Sequence, residues 1–217
     1  MGKWNKFLQE LLLGGKKCVY CGREIPYEDL FCEECAGKEE ALRNKDGFAG
    51  GILYAYRYED IVRTLIHQFK YNDMPRYSMF IAQRMAEFLA DYEVNADGVT
   101  YVPIHKNRLK MRGYDQTELI ANHLSTLLGV PCGDFLLRVR DTRPQYKLGA
   151  RERQKNIRGA FSLREDANVE GRNLLLIDDI YTTGATVGEC VRILADAGAN
   201  VTAYTYSREF LKPEKKK

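Results

Sequence analysis

The sequence predicts an α/β protein in which a mostly parallel β-sheet is flanked by helices and preceded by a small cysteine-rich module. Short apolar runs alternate with segments whose apolar residues recur at helical spacing, a pattern typical of parallel sheets with crossover helices. Two cysteine pairs lie close together near the N-terminus. The 217 residues are enough for one sizeable α/β domain and one small module.

Net charge does not by itself indicate a nucleic-acid partner, because it is only +3. Its distribution is uneven: positions 105–158 hold 12 Lys or Arg against 5 Asp or Glu, an excess of +7, which leaves about −4 for the rest. No apolar run approaches the roughly 20 residues of a membrane span. Gln9 and Glu10 interrupt the apolar residues of the opening segment, so a signal peptide is not predicted. We expect a short amphipathic helix there and a cytoplasmic protein.

The cysteine pairs predict a metal site. Each is a CxxC pair, ten residues separate them, and the four candidate ligands are Cys18, Cys21, Cys32 and Cys35. Two such loops can bring four thiolates into a tetrahedron around zinc. Disulfides are the alternative, but no secretory signal indicates an oxidising compartment. We therefore expect a structural Zn²⁺, with residues 1–47 forming an N-terminal helix and a four-cysteine zinc ribbon and residues 48–217 forming the α/β domain.

The elements of the larger domain follow from hydrophobic spacing. Strands are predicted at 51–58, 99–103, 134–139, 174–177 and 200–207, and helices at 59–69, 78–92, after Asp115 and after Thr186. Asp115 and Glu118 have the spacing of a capping box. Residues 104–113 are predicted to form a basic loop.

The most informative segment is the strand at 174–177 together with the acids and the turn after it. Asp178 and Asp179 stand where the strand should end, and residues 182–186 form a turn of small and hydroxylated residues before the next helix. Ligands bind at the carboxyl ends of parallel strands, and a helix N-terminus offers N–H groups to phosphate. The acids suit sugar hydroxyls or a hydrated Mg²⁺. A ribose 5-phosphate fits both halves; the plain alternative is a capped helix with Thr183 as N-cap.

Two basic segments could serve an anionic ligand. The cations of the 104–113 loop suit a diphosphate, although an ordinary solvated loop is the alternative; they are Lys106, Arg108, Lys110 and Arg112. Residues 140–161 are also cationic and could close over a ligand as a lid through Arg151, Arg153, Lys155 and Arg158. They could equally line a nucleic-acid groove, with Tyr114 and Tyr146 available for base stacking.

Residues 174–186 closely resemble the phosphoribosyl diphosphate (PRPP) loop of the type I phosphoribosyltransferases. The motifs that carry a wider resemblance come in the order CxxC…CxxC, FKY at 69–71, VPIH at 102–105, RGYDQTELIA at 112–121, TRPQYKL, RERQKNIRGAF and IDDIYTTGAT. This order resembles the ComF family, phosphoribosyltransferase-like proteins tied to competence and DNA uptake, including the relatives called GntX. Asp115 stands where Asn is expected in many relatives.

The resemblance implies a zinc ribbon joined to a type I phosphoribosyltransferase fold, with Mg²⁺–PRPP as ligand. It implies that Asp178 and Asp179 hold the ribose as the catalytic pair. The implied PRPP-binding set is Tyr181, Thr182, Thr183, Gly184, Ala185 and Thr186. The implied diphosphate set is His105, Lys106, Arg108 and Arg112, and the lid set is Arg151, Arg153 and Arg158. It also implies a role in moving single-stranded DNA across the membrane with a helicase-like competence partner.

Three functional hypotheses are compatible with the sequence. The first is a phosphoribosyltransferase that displaces diphosphate from C1 of the ribose, with an acceptor that the sequence does not specify. The second is a non-catalytic single-stranded-DNA-binding adaptor of the competence machinery. The third is a small-molecule-responsive regulator, for which no DNA-reading helix is evident in the sequence.

Overall fold

The structure, a computed structural model, describes residues 16–26, 29–49, 51–71, 75–142 and 156–210. The strands are β1 Lys16–Lys17, β2 Glu24–Ile25, β3 Phe48–Ala49, β4 Ile52–Arg57, β5 Gly98–Tyr101, β6 Leu136–Arg138, β7 Phe161–Leu163, β8 Asn173–Tyr181 and β9 Asn200–Arg208. The helices are α1 Glu33–Glu40, α2 Asp60–Tyr71, α3 Tyr77–Leu89, α4 Lys106–Arg112, α5 Gln116–Leu128 and α6 Ala185–Asp196.

The centre of the fold is a five-stranded sheet in the order β3-β4-β9-β8-β5. β4, β9, β8 and β5 run parallel, and only the edge strand β3 pairs antiparallel. β1 with β2 and β6 with β7 form two small antiparallel pairs. The parallel sheet with flanking helices, preceded by clustered cysteines, confirms the predicted fold class.

Side chains of β8 alternate between two cores. Leu175 and Ile177 belong to the core that α2, α3 and α5 cover, whereas Leu174 and Leu176 belong to the core that α6 covers. Because side chains alternate along a strand, the two acids after Ile177 leave β8 on opposite faces of the sheet: Asp179 continues the α2 face, and Asp178 continues the α6 face.

The cysteine module packs against the α2 and α3 side of the sheet. Cys18, Leu30 and Phe31 share one hydrophobic core with residues of both helices. Glu39 of α1 is buried, and its carboxylate accepts a hydrogen bond from the Tyr206 hydroxyl at 2.8 Å and from Arg84 Nε at 3.3 Å. The domain boundary after residue 47 stays a prediction, and the helix expected in the opening segment lies outside the described residues.

Two predicted elements differ from the structure. The basic loop predicted at 104–113 is wrong, because residues 106–112 form α4; the His105 side chain accepts the N–H of Asn107, and Gly113 ends the helix at φ +77°. β8 continues through both acids to Tyr181, because Asp178, Ile180 and Tyr181 pair in register with β9. Within the described ranges, no helix is both long and apolar enough to cross a membrane.

Candidate functional site

A cleft of about 900 Å³ lies at the carboxyl ends of β5 and β8. Its cationic lining residues are Arg63, Lys70, Arg108, Arg112 and Arg138. Its carboxylates are Asp178, Asp179 and Glu209. The cleft stands where ligands bind in open parallel sheets, and its lining carries more positive than negative charge.

The acid pair forms the floor of this cleft. Asp179 is only 7% exposed, and its Oδ2 lies 2.7 Å from Lys70 Nζ. Asp178 Oδ1 accepts the backbone N–H of Asp179 at 2.9 Å. Burial, and next to it the negative charge of Asp179, raise the pKa of Asp178 to about 8, although Lys70 and Arg138 favour its ionised form. The two carboxylates leave opposite faces of the sheet, yet both reach one cleft because β8 ends there.

The turn after β8 is divided between two cavities. Thr182 and Thr186 line the cleft with the acids, whereas Thr183, Gly184 and Ala185 line a neighbouring cavity of about 610 Å³. The turn thus lies between them at the start of α6, whose first N–H groups have no partner inside the helix. The structure therefore places the predicted 5-phosphate residues around a helix N-terminus, next to the acids.

The turn requires a glycine and leaves one polar atom unsatisfied. Gly184 is the N-cap of α6 at φ +77°, and a Cβ built there would collide with the Tyr181 hydroxyl oxygen. No side-chain hydrogen bond caps α6, so the alternative in which Thr183 is only an N-cap is not supported. Thr183 Oγ1 is buried and lacks a hydrogen-bond partner among the described residues. Such an atom is costly to bury unless something satisfies it.

Helical geometry divides the predicted diphosphate residues. Arg108 and Arg112 are one turn apart on α4 and line the cleft, whereas Lys106 and Lys110 are exposed and are not among its lining residues. Arg108 donates to the Thr142 carbonyl at 3.1 Å, and burial lowers the pKa of its guanidinium. His105 is buried as the α4 N-cap, with Nδ1 3.6 Å from Asp141 Oδ2, and it does not line the cleft either.

Sequence reasoning missed Lys70 and Arg138. In the sequence, Lys70 follows a predicted helix within the FKY motif and Arg138 is part of a short predicted strand, and no site role is predicted for either residue. A signal for Lys70 exists: it follows buried Ile66 by four residues, so it continues the apolar stripe of α2. A lysine on a core-facing stripe usually has a partner. Burial, and then the positive charge of Arg108, lower the pKa of Arg138 to about 10.

The predicted lid and stacking residues have mixed outcomes. Arg151, Arg153, Lys155 and Tyr146 lie outside the described residues. Arg158 lines the smaller cavity beside the turn. Tyr114 is half-buried, donates its hydroxyl to the Phe69 carbonyl and stacks on the Phe69 ring with centroids 5.9 Å apart. Its ring is therefore engaged within the protein.

The four cysteines of the two CxxC pairs form one cluster. Their sulfurs all lie within 4.8 Å of one another, and Cys21 Sγ is 3.7 Å from Cys32 Sγ. All four are free thiols, and three of them are buried. Zn–S bonds of about 2.3 Å in a tetrahedron place sulfurs roughly 3.8 Å apart, so the donor set fits a tetrahedral metal such as zinc. This cluster could hold a metal ion.

The surroundings of the thiols shift their pKa values in different directions. Burial opposes ionisation of Cys18, but hydrogen bonds from backbone N–H groups, first of all that of Cys21, lower its pKa to about 6. Burial and the neighbouring thiols raise the pKa of Cys35 to about 12. Cys190 lies apart from the cluster in the core that α6 covers.

Several curated proteins are similar to this chain over most of its length, although no family model matches it. Competence protein F of Haemophilus influenzae is 29% identical over 188 residues, covering 83% of this chain and 79% of that protein. DNA utilization protein YhgH of Salmonella typhimurium is 28% identical over 192 residues, covering 84% and 79%. Competence protein ComFC of Bacillus subtilis is 25% identical over 197 residues, covering 89% and 78%.

The comparison with solved structures found phosphoribosyltransferases. Adenine phosphoribosyltransferase from Thermoanaerobacter pseudethanolicus is 14% identical and covers 81% of this chain and 99% of that chain, with a TM-score of 0.42. A likeness of this strength carries no information about ligand or activity. The three curated relatives, each matched over more than four fifths of this sequence, support the resemblance to the ComF family.

Proposed function

We propose that this protein binds Mg²⁺–PRPP in the cleft at the carboxyl edge of its sheet and acts in DNA uptake during natural transformation. The single observation that carries the PRPP proposal is the convergence of Asp178, Asp179 and the 182–186 turn on the same region. The names of the relatives, which refer to competence and DNA utilization, support the cellular role.

Each part of PRPP has a proposed set of partners. The 5-phosphate would lie at the α6 N-terminus, held by backbone N–H groups and by hydroxyls such as that of Thr183. The ribose hydroxyls would donate to Asp178 and Asp179. The diphosphate would take Arg108 and Arg112, because guanidinium groups grip phosphate oxygens in pairs. His105 and Lys106 remain predicted members of this set, although neither lines the cleft.

Mg²⁺ fits the available donors. Asp178 and Asp179 offer carboxylate oxygens, and in the described ranges no third acid, His or Cys completes a metal cluster with them. Mg²⁺ commonly uses one or two carboxylates together with substrate phosphates and water. When bound, the ion would neutralise charge on the diphosphate.

The proposed reaction is substitution at C1 of the ribose. The C1–O bond to diphosphate breaks, its electron pair leaves with the diphosphate, and a nucleophile forms the new bond to C1. Positive charge develops on the sugar and negative charge on the leaving group. Arg108 and Arg112 would stabilise the leaving group, so no dyad for general-base catalysis is required. A protein that only senses PRPP would use the same contacts without turnover.

A structural zinc ion is proposed for the cysteine cluster. Four thiolates would fill a tetrahedron and leave no open coordination position for catalysis. Thiols of this kind stay reduced in the cytoplasm, which is the proposed location.

Isothermal titration calorimetry with Mg²⁺–PRPP tests the ligand. Asp178→Asn keeps the shape of the side chain and cannot ionise when the ligand binds, and we expect PRPP affinity to fall by roughly 10- to 100-fold because the charge-assisted hydrogen bond of a carboxylate cannot form. Asp166→Asn is the matched control, because Asp166 is 89% exposed and outside the cleft. Absence of binding heat with the unmodified protein would contradict the proposal. Assaying diphosphate release with candidate acceptors then distinguishes turnover from sensing.

A second candidate function is a single-stranded-DNA-binding adaptor. The favouring observation is α4, which carries four cations and no carboxylate. Within the described residues, no ion pair joins any of these cations to an acid. Binding by such a surface weakens steeply with salt. A helicase-like competence protein is the proposed partner in either case.

A further inference from the structure

A cluster of aromatic and cationic side chains in mutual contact lies at the rim of the cleft, on the wall formed by α2 and α4. The Tyr71 ring centroid is 4.8 Å from that of His67, and Arg112 Cζ lies 5.4 Å from the same tyrosine ring. Met111 lines the cleft beside them. We name Tyr71, His67, Arg112 and Met111 the stacking platform.

The stacking platform exposes apolar side chains that do not contribute to a hydrophobic core. Tyr71 is 60% exposed and Met111 is 78% exposed, whereas Phe69, two residues before Tyr71, is fully buried. α4 has no buried residue at all, so Met111 contributes nothing to a core. Arg112 is held in place by a 2.7 Å hydrogen bond to Gln116 Oε1. Exposed apolar surface with a fixed guanidinium over an aromatic ring is typical of a binding surface.

The surrounding charge identifies the class of ligand. Lys106 and Lys110 are exposed on the other side of α4, so the platform adjoins a short strip of cations without acidic partners in the described structure. A ligand that complements both features combines planar rings with negative charge. The open, exposed tyrosine favours a long ligand over a small one, because small-molecule sites bury most of the ligand surface.

We propose that the stacking platform binds the bases of single-stranded nucleic acid while the cations of α4 contact its phosphates. Stacking on Tyr71 and Arg112 tolerates any base, since every base presents a flat face. This inference rests on the second candidate function and specifies its surface. Tyr71 and Arg112 also line the cleft with the acids, so a bound strand covers the mouth of that cleft.

The test uses the full chain, a fluorescein-labelled 20-mer of thymidylate and an abasic 20-mer of the same charge. By fluorescence anisotropy, Tyr71→Ala should weaken thymidylate binding by about tenfold, and Tyr71→Phe by less than about twofold. Tyr71→Ala should leave affinity for the abasic strand unchanged. Phe48→Ala is the matched control, because Phe48 is an exposed aromatic residue on the edge strand, outside the cleft. Lys110→Gln should weaken both strands equally and reduce the salt dependence.

Three outcomes would overturn the inference: equal binding of thymidylate by Tyr71→Ala and the unmodified protein, equal weakening of both strands by Tyr71→Ala, or displacement of the strand by millimolar free thymidine. The last would indicate a small-molecule acceptor site. The assay contains no PRPP, so its failure leaves the calorimetric result for Asp178→Asn intact, and failure of that calorimetry leaves this assay interpretable.

Discussion

The cysteine cluster and the cleft differ in how their polar groups could find partners. In the cluster, the four thiol sulfurs lie within 4.8 Å of one another and three of the cysteines are buried, so a single tetrahedral ion could bind all four. In the cleft, Asp178 lies beside Asp179 and its pKa is raised, and in the adjoining cavity Thr183 Oγ1 has no hydrogen-bond partner among the described residues. A site for a structural ion would have all its polar groups satisfied once the ion is bound. A site for an exchanging ligand would keep polar groups that only the ligand satisfies, and the cleft is proposed to be of this second kind.

Helix α2 nevertheless touches both regions. Its Gln68 side chain donates to the Val19 carbonyl, inside the first CxxC pair, at 3.1 Å. The hydroxyl of Tyr20, which lies between the two cysteines of the same pair, donates a hydrogen bond to Asp60 at the start of the helix. Two residues after Gln68, Lys70 pairs with Asp179 in the cleft. The two regions therefore differ in their chemistry but are connected through α2. Substitutions in either region are expected to alter the stability of the whole chain.

The largest expected effect comes from removing one cysteine ligand. Cys35→Ser leaves three thiols around a proposed zinc ion, at the most buried of the four positions. Since zinc binding in such sites contributes folding free energy, we expect loss of bound metal and a decrease of more than about 4 kcal/mol in the free energy of unfolding. Elemental analysis and urea denaturation measure the two quantities.

Cys132→Ser is the matched control, because Cys132 lies outside the cluster and is only half-buried. It should keep the full metal content. If Cys35→Ser also retained one equivalent of zinc, the cluster would not be the closed site that the comparison requires.

The two regions also differ in how much the sequence could predict. The CxxC spacing and the order of strand, acids, turn and helix are local patterns. The structure gathers the four cysteines into one cluster and places both acids, Thr182 and Thr186 along one cleft, whereas the roles predicted for the acids and the turn stay predictions. α4 escapes prediction because it buries no residue and so has no apolar stripe to detect. The predicted end of β8 is too early because pairing with β9 outweighs the low strand preference of aspartate.

Contacts between distant elements are beyond any local pattern. Lys70 and Asp179 are more than a hundred positions apart, and only the packing of α2 beside β8 brings their charges to 2.7 Å. Likewise, no spacing rule shows that the 182–186 turn faces two cavities, because that division depends on where the rest of the fold surrounds it.

An intermediate effect on the free energy of unfolding is expected from the ion pair between Lys70 and Asp179 in the cleft. Lys70→Met keeps most of the apolar stem and removes the charge, which leaves the carboxylate of the buried Asp179 without its partner. We expect the free energy of unfolding to fall by about 2–4 kcal/mol in urea denaturation.

The double variant Lys70→Met with Asp179→Asn sharpens this result. Removing the second charge should restore most of the loss, and the double-mutant cycle gives the coupling free energy. Additive losses in the double variant would show that Lys70 supports packing rather than the charge of the acid pair.

The smallest expected effect is the contribution of Asp178 to the pH dependence of the free energy of unfolding. Its pKa is about 8 in the native protein and about 4 in the unfolded chain, so between these values the native state holds a proton that the unfolded state has released. Stability is therefore lost as pH rises across this window, and Asp178→Asn should abolish that part of the dependence. Because Asp178 is only half-buried and Lys70 and Arg138 favour its ionised form, we expect the change between pH 6 and pH 8 to be about 1 kcal/mol.

Urea denaturation at both pH values, with and without the substitution, isolates this carboxylate from the other titrating groups. If Asp178→Asn were more stable than the unmodified protein but bound PRPP less tightly, Asp178 would favour ligand binding at a cost to the free energy of unfolding. Equal pH profiles would instead place Asp178 among ordinary solvated acids and remove the contrast with the cysteine cluster.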